Sequence, residues 1–204
     1  MHTNGMNVLV PGRGRPYLDG DSLDHSAPLA WTIPGVLDAA ECRAAIARIE
    51  ALGPVDAPIT TAQGFVMRPD VRNNQRVVFD DLELAAKLYA RVSASIPRRL
   101  FGVTPVGANE RFRCYRYTEG QRFAPHFDGA YRRNADERSE LTLIVYLNAD
   151  FAGGATAFHD EGVAAVPRAG TALLFQHQML HEGCAVTAGI KYAMRSDVMY
   201  RRVA

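Results

Sequence analysis

Two periods of apolar positions divide the chain. In the stretch LAWTIPGVLDAAECRAAIARIEALG, Asp38 stands where a helix N-cap belongs and Glu41 follows it by three residues. A glycine closes this stretch, so the pattern predicts a helix over about 39–52. Leucine, alanine and valine recur near helical spacing in DLELAAKLYARVSASI (81–96), which predicts a second helix that a proline ends.

From about residue 110 onward the period becomes two. Alternation predicts strands in four segments, RFRCYRY (111–117), LTLIVYLN (141–148), GTALLFQ (170–176) and KYAMRSDVMY (191–200). Turn signals separate these segments and no helical pattern lies between them, so parallel βαβ units are not expected. The pattern predicts an α+β chain that is mainly β, with an antiparallel sandwich, jelly roll or barrel behind an N-terminal helical layer.

Two segments are too polar and too broken for a long element. Residues 1–27 are rich in Gly, Pro, Asp and Arg, which predicts a loose N-terminal leader in front of a single domain over 28–204. Residues 60–81, between the two helices, predict a polar loop. Long polar loops in compact domains often carry substrate contacts. The candidate substrate-binding residues of this loop are Arg72, Asn73, Asn74 and Arg76.

Composition limits the class of function. An apolar fraction of 48% and a charged fraction of 22% are typical of a soluble globular protein. A formal net charge of +1 argues against a general nucleic-acid binder, and no apolar run is long enough to span a membrane. The three cysteines are far apart, so we expect neither a disulfide framework nor a zinc knuckle. A cytoplasmic protein without nucleic-acid or membrane partners is the default expectation.

The motif PHFDG (125–129) places His126 and Asp128 two residues apart in a stretch with strand character. Residues i and i+2 of a strand point to the same face, so this imidazole and carboxylate can bind one ion together. His177 and His181 are four residues apart, but strand-like and turn-like sequence around them leaves no room for a helical zinc pair. His181 is therefore the best third ligand, because two histidines and one carboxylate are the ligands of non-haem Fe(II) oxygenases.

An iron oxygenase that uses 2-oxoglutarate also needs a fixed cation for the second carboxylate of this cosubstrate. Lys191 opens the last predicted strand, ten residues after His181. By alternation Lys191 and Arg195 point the same way, about 13 Å apart at roughly 3.3 Å per residue. One of them can bind the cosubstrate while the other serves the substrate or an internal ion pair.

Three motifs follow one another in the C-terminal half. YTEGQRFAPHFDG has the form Y-x-x-G-x-x-(Y/F)-x-x-H-x-D, LTLIVYLNADFAGGATAFHD is a tyrosine-bearing strand with a Gly-Gly turn, and VPRAGTALLFQHQMLHEGCAVTAGIKY ends in V-x-x-G-x-K-(Y/W). In this order they resemble the prolyl 4-hydroxylase-type 2-oxoglutarate/Fe(II)-dependent dioxygenases. The resemblance spans about 108–200, nearly half of the chain.

The resemblance implies an iron site and a cosubstrate site. The implied iron ligands are His126, Asp128 and His181. The residues implied to contact 2-oxoglutarate are Lys191, for its distal carboxylate, and Tyr117 and Tyr146, as hydrogen-bond donors. Arg195 departs from the family pattern, because it puts a second strong cation on the same strand and leaves open whether it or Lys191 is the main contact.

The resemblance also implies a fold and an activity. The fold is a double-stranded β-helix (jelly roll) with the N-terminal helices packed on the sheet. The activity is that of a 2-oxoglutarate- and Fe(II)-dependent dioxygenase, which uses O₂ to hydroxylate a C–H bond, with ascorbate as a reductant. The expected substrate is a peptide or protein, or an amino acid or other small molecule.

A protein of another class offers the alternative. A cupin-like β-barrel, non-catalytic or hydrolytic, would hold zinc or nickel through the same three residues. Such a barrel would not require Lys191 or Tyr146, so the presence of these two residues favours the oxygenase.

Overall fold

The computed structural model describes residues 5–202 of the chain. Its helices are α1 (Ala39–Ala51) and α2 (Leu82–Val92), with a short 3₁₀ helix at Ser93–Ser95. The first strands are β1 (Asn7–Val10), β2 (Ala30–Ile33), β3 (Val55–Asp56), β4 (Ile59–Thr61), β5 (Gly64–Val66), β6 (Gln75–Asp80) and β7 (Thr104–Ala108). The later strands are β8 (Arg111–Tyr117), β9 (Phe123–His126), β10 (Glu137–Tyr146), β11 (Ala152–Gly153), β12 (Thr156–Phe158), β13 (Val163–Ala165), β14 (Ala172–Gln176), β15 (His181–Gly183), β16 (Val186–Ala188) and β17 (Lys191–Arg201). Neither helix is long and apolar enough to cross a bilayer, and no other helix within residues 5–202 is either.

Two sheets make up most of the structure. The larger sheet has the strand order β1-β2-β14-β10-β17-β8-β6-β3, with β7 also paired to β17. The smaller sheet has the order β13-β12-β15-β9, and two two-stranded sheets, β11-β16 and β4-β5, complete the set within the described residues. Neighbouring strands are antiparallel, as the sequence predicts.

The larger sheet is buried on both faces, because its long central strands direct apolar side chains to each face in turn. On one face, Leu141 and Leu143 of β10 pack in one cluster with Ile49 of α1 and Leu88 of α2. On the other face, the side chains of the sheet join a second cluster with Phe158 and other residues of the smaller sheet. The mainly β prediction is therefore confirmed, with the functional pocket lying in the layer between the two sheets.

Helix α1 begins as its sequence predicts. The Asp38 carboxylate accepts a hydrogen bond from the Glu41 backbone N–H at 2.8 Å, and the Glu41 carboxylate accepts one from the Asp38 N–H at 2.9 Å. This reciprocal pair satisfies two backbone donors that the first turn of a helix leaves free.

The prediction of a polar loop over residues 60–81 is wrong in part. Residues 75–80 form β6 and pair along their length with β8, and 59–66 form the β4-β5 pair. The sequence of β6, QRVVFD, buries only Val77 fully, so its alternation is weak. Pairing with the long strand β8 decides the conformation instead.

Part of the predicted loose leader is also ordered. Its residues 1–4 lie outside the described residues, but β1 pairs with β2 at the edge of the larger sheet. The Gln176 side chain accepts a hydrogen bond from the Asp24 N–H at 2.8 Å and donates one to the Asp24 carbonyl at 2.9 Å. These contacts, 152 residues apart in sequence, attach the segment to the sheet.

Candidate metal centre

The structure brings the predicted triad together at one end of the smaller sheet. His126 ends β9, His181 begins β15, and the two stand opposite each other in the strand register. Asp128 lies just beyond β9. Its carboxylate oxygens are 3.8 Å from His126 Nε2 and 3.6 Å from His181 Nε2, and one potential ligand atom from each residue lies within 4.8 Å of the others. Three side chains that can bind a metal therefore converge on one point.

The two imidazoles are held in the tautomer that leaves Nε2 free to bind a metal. His126 Nδ1 lies 2.8 Å from the Ala124 carbonyl and His181 Nδ1 lies 3.0 Å from the Met179 carbonyl. A carbonyl can only accept, so each Nδ1 carries the proton and each Nε2 keeps a lone pair toward Asp128. Burial lowers the pKa of His126 to about 4 and also lowers the pKa of His181, so both rings are neutral at pH 7.

The Asp128 carboxylate is buried but remains ionised. Burial by itself would raise its pKa. The nearby Arg195 guanidinium, followed by His181, His126 and His177, nevertheless holds the pKa below its ordinary value. Arg195 Nη1 lies 2.9 Å from Oδ1, and the Thr142 hydroxyl donates to Oδ2 at 2.6 Å. Each carboxylate oxygen therefore has one fixed donor from this chain and keeps a free lone pair.

Lys191 lies in the same pocket as the triad and is almost completely buried, at 3% exposure. Its ammonium donates to the Gly154 carbonyl at 2.6 Å, and Nζ is 5.0 Å from the ring centre of Tyr117 and 5.5 Å from that of Tyr146. Burial lowers its pKa to about 8. Within the described residues no carboxylate pairs with this ammonium, so it offers free donors to an anion in the pocket.

The Gly-Gly turn after β10 makes room for Lys191. Gly154 has φ +64°, and a Cβ at this position would lie 3.1 Å from Lys191 Cδ and 2.9 Å from the Phe151 ring. Only glycine combines this backbone conformation with such a close approach. The turn that the sequence singles out thus fixes the position of the buried cation.

Arg195 lines the pocket too, but its contacts differ from those of Lys191. Its guanidinium bridges two carboxylates, Asp128 at 2.9 Å and Asp197 at 3.2 Å. The alternation predicted for the last strand is confirmed, since both cations face the pocket. Of the two roles that the sequence leaves open, the internal ion pair is the one that Arg195 occupies in this structure.

Tyr117 and Tyr146 also line the pocket, and burial raises the pKa of both phenols. Both are therefore neutral at pH 7 and can donate a hydrogen bond. The Tyr146 hydroxyl shares a hydrogen bond of 2.7 Å with Thr156 Oγ1, another residue of the pocket wall.

The four residues predicted to contact substrate are not among the residues that line the pocket of the triad. Their segment runs beside β9, where the Asn73 side chain accepts a hydrogen bond from the Arg122 N–H at 2.7 Å. Arg72 is 5% exposed, and its guanidinium carbon is 4.4 Å from the centre of the Phe123 ring. The Phe123 ring also stacks on the His126 ring, with ring centres 3.6 Å apart. These contacts support β9 and its metal-ligating histidine, and a direct substrate contact stays a prediction.

Arg76 and Asn74 are likewise engaged in contacts within the chain. Arg76 belongs to β6 and covers the Phe65 ring at 5.7 Å. Asn74 is fully buried, and its side-chain oxygen accepts a hydrogen bond from Arg72 Nε at 2.8 Å.

Three buried polar residues near Asp128 are not assigned to the site by the sequence, which raises one of them, His177, only as half of a rejected zinc pair. They are Ser139, Thr142 and His177. A signal existed for Thr142, because it shares a strand face with the predicted site residue Tyr146. None existed for His177, because the irregular turn after β14, which has no sequence period, decides where its ring points.

The sequence around the pocket is similar to that of known oxygenases. Residues 112–196, which contain the triad and Lys191, match the family model of the 2OG-Fe(II) oxygenase superfamily. A PKHD-type hydroxylase from Paraburkholderia phymatum is 30% identical over 173 residues, which cover 79% of this chain and 74% of that protein.

Two solved structures resemble the fold. One is the viral collagen prolyl hydroxylase of Paramecium Bursaria Chlorella virus-1 in its 2OG complex, with a TM-score of 0.59 and 19% identity over 85% of this chain and 97% of that one. The other is a prolyl hydroxylase from Trichoplax adhaerens in complex with a hypoxia inducible factor peptide, with a TM-score of 0.61 and 18% identity over 83% of this chain and 82% of that one. At this level of identity the likeness concerns the fold.

Proposed function

This chain belongs to the 2OG-Fe(II) oxygenase superfamily, among the PKHD-type and prolyl 4-hydroxylase-like enzymes, and we propose that its pocket binds Fe(II) through His126, Asp128 and His181. It is a 2-oxoglutarate- and Fe(II)-dependent dioxygenase that hydroxylates a C–H bond. The observation that carries the residue assignment is the convergence of two neutral imidazoles and one ionised carboxylate within 4.8 Å. This donor set suits Fe(II), because two nitrogens and one carboxylate oxygen leave positions for cosubstrate and O₂.

We assign the 2-oxoglutarate site to the part of the pocket around Lys191. The bound metal and cosubstrate supply the activation of O₂ that oxidises the substrate C–H bond, with succinate and CO₂ as coproducts. The chain contributes the charge and orientation. The Lys191 ammonium would pair with the distal carboxylate, and the Tyr117 and Tyr146 hydroxyls would donate hydrogen bonds. Arg195 would mainly pair with Asp128, and any contact it makes with the cosubstrate would be made while this ion pair is kept.

We propose that the fold is a double-stranded β-helix. Two facing antiparallel sheets with a shared apolar core support a double-stranded β-helix, with α1 and α2 packed on the outer face of the larger sheet. We assign residues 28–204 to the single dioxygenase domain. The attachment of Asp24 to Gln176 suggests that the segment before residue 28 belongs to it structurally.

The substrate is a peptide or other small molecule, together with O₂. Within this range we propose a peptide, protein or amino-acid substrate, because the two similar structures are prolyl hydroxylases and one of them holds a peptide. We also propose that the substrate carries a carboxylate, because Arg72 and Arg76 have no carboxylate partner within the described residues. We expect no nucleic-acid partner at a net charge of +1 and no membrane partner, since the sequence has no apolar run of membrane-spanning length. A cytoplasmic location and ascorbate as reductant are further proposals.

The test of the proposed function is an anaerobic titration of the protein with Fe(II) and then 2-oxoglutarate. We expect a visible charge-transfer band from the chelated complex in the wild type and no band in Asp128→Ala. An absent band in wild-type protein with confirmed metal binding would overturn the proposal. That result would favour a cupin-like barrel that holds an ion without this cosubstrate.

The pKa of Lys191 predicts how cosubstrate affinity depends on pH. Burial lowers this pKa to about 8 in the free protein, and a bound carboxylate would raise it, so binding takes up a proton when the pH exceeds 8. We therefore expect the affinity for 2-oxoglutarate to be constant below about pH 8 and to fall up to about tenfold per pH unit above it. Anaerobic titrations of the Fe(II) protein across this range measure the effect.

Lys191→Arg provides the matched control for this pH dependence, because a guanidinium stays protonated throughout the range. Its affinity for 2-oxoglutarate should show no decline that begins near pH 8. An unchanged decline in Lys191→Arg would assign the titration to another group.

A further inference from the structure

We propose that Thr142, His177 and Ser139 are positioning residues that orient the Asp128 carboxylate through one directional chain of hydrogen bonds. This inference rests on the proposed function, in which Asp128 binds the metal. All three residues are nine-tenths or more buried, and none of them is among the predicted metal or cosubstrate ligands.

The chain consists of four short hydrogen bonds. The Tyr131 backbone N–H lies 2.8 Å from Ser139 Oγ, and Ser139 Oγ lies 2.8 Å from His177 Nε2. His177 Nδ1 lies 2.9 Å from Thr142 Oγ1, which in turn lies 2.6 Å from Asp128 Oδ2. The chain therefore runs without a break from the loop after Asp128, through the imidazole, to the carboxylate.

The direction of every bond follows from its two ends. A backbone N–H can only donate and an ionised carboxylate can only accept. The Thr142 hydroxyl must donate to Asp128, so it accepts from His177 Nδ1–H. With its proton on Nδ1, the neutral ring accepts at Nε2 the hydroxyl proton of Ser139. Ser139 Oγ then accepts a hydrogen bond from the Tyr131 N–H, so each proton of the hydrogen-bond chain is assigned to one donor atom.

This arrangement acts on the orientation of the carboxylate. Oδ2 is held by Thr142 and Oδ1 by Arg195, so the plane of the Asp128 carboxylate is fixed from both sides. The Asp128 N–H also donates to the His177 carbonyl at 3.1 Å, which attaches the backbone to the same residue. Hydrogen-bond partners of metal ligands commonly set ligand orientation and affinity.

The chain also connects the ligand to the loop that follows it. Ser139 N–H donates to the Tyr131 carbonyl at 2.8 Å, while its hydroxyl accepts from the Tyr131 N–H. The loop after Asp128 is therefore held at Tyr131, the end of the hydrogen-bond chain farthest from the carboxylate. The positions of Tyr131 and of the Asp128 carboxylate depend on the same side chains.

The test is the affinity of the full-length protein for Co(II), a spectroscopic probe for the Fe(II) site, without 2-oxoglutarate. Thr142→Val keeps the shape of the side chain and removes the hydroxyl, so we expect about 10–100-fold weaker binding and a changed visible Co(II) spectrum. Thr142→Ser, which restores the hydroxyl, should recover most of the affinity. Thr171→Val is the matched control, because Thr171 is a buried threonine without a side-chain hydrogen bond in the described structure, and it should bind like the wild type.

A second variant keeps the test independent of how well Thr142→Val folds. Ser139→Ala removes the other hydroxyl of the chain, far from the metal, and should weaken Co(II) binding less than Thr142→Val does. If the residues act as one chain, its effect should largely disappear in a Thr142→Val background. Additive effects in the double variant would contradict the chain.

The possible failures are distinguishable. Wild-type affinity in both Thr142→Val and Ser139→Ala would overturn the positioning role and leave the proposed function intact. Absence of Co(II) binding by the wild type would overturn the proposed function, and the positioning role with it.

Discussion

His126→Ala protein is expected to lose 2-oxoglutarate turnover by more than about 100-fold, because even a hydrogen-bond partner of a metal ligand commonly contributes 10–100-fold. The variant removes one of three ligands. The remaining carboxylate and His181 would hold Fe(II) too weakly to present cosubstrate beside Lys191. Succinate released from 2-oxoglutarate under air measures the turnover, and the charge-transfer band of the anaerobic complex should disappear with it.

The fold of His126→Ala should survive. The ring stacks on Phe123 and contacts His181, but it lies at the pocket edge with its side chain 19% exposed. Urea denaturation should therefore show a cooperative transition near that of the wild type. His159→Ala, at an exposed histidine outside the triad, is the matched control and should keep full turnover. Full turnover in His126→Ala would make the triad assignment wrong.

Lys191→Met is expected to change binding and stability in opposite directions. Loss of a charge-assisted hydrogen bond of about 1.5–3 kcal/mol should weaken 2-oxoglutarate roughly ten- to hundredfold, raising its KM with little effect on kcat. The folded protein should at the same time gain about 1–3 kcal/mol in the free energy of unfolding at pH 7, because an unpaired buried ammonium is replaced by an apolar chain of similar length.

The sign of the stability effect follows from the pKa of Lys191. Burial lowers it from 10.5 to about 8, so the folded state binds this proton more weakly than the unfolded state does. The cost is complete below pH 8 and disappears as the pH rises toward 10.5. The gain from Lys191→Met should therefore be largest at neutral pH and small near pH 10, and denaturant titrations at the two pH values measure it.

Arg195→Met is the comparison that decides between the two cations. Arg195 pairs with Asp128 and Asp197, so its removal should destabilise the protein by leaving the buried Asp128 carboxylate without a guanidinium partner, while Asp197 keeps Arg113 at 3.6 Å. A raised KM for 2-oxoglutarate in Arg195→Met alone, with Lys191→Met unaffected, would reassign the cosubstrate contact to Arg195.

Local patterns predicted much of the fold. The N-cap Asp38 with Glu41 three residues on, and the alternation in β8, β10, β14 and β17, depend on neighbouring residues and are readable in one sequence. The H-x-D spacing is local in the same sense. Lys191 was identifiable because alternation in β17 fixes its face and a pocket for a dianion needs a cation.

The rest depends on contacts between distant parts of the chain. The strand β6 has weak alternation and is decided by its pairing with β8. The polarity of the segment around Arg72 predicts a substrate loop, but only the folded structure shows its contacts with β9 and the residue before it. His177 gave no signal because a histidine after a strand has no period to orient it, and only the folded turn brings it to Thr142.

The register of β9 and β15 has a consequence for the order of events in folding. His126 stands opposite His181, and the two are 55 residues apart in sequence (181 − 126). Contacts of such separation form only after much of the intervening chain has been arranged, since closing long loops costs entropy early. We therefore expect the metal site to be completed late in folding, so that a bound ion would mainly retard unfolding while leaving the folding rate nearly unchanged; unfolding and refolding rates with and without Co(II) measure this.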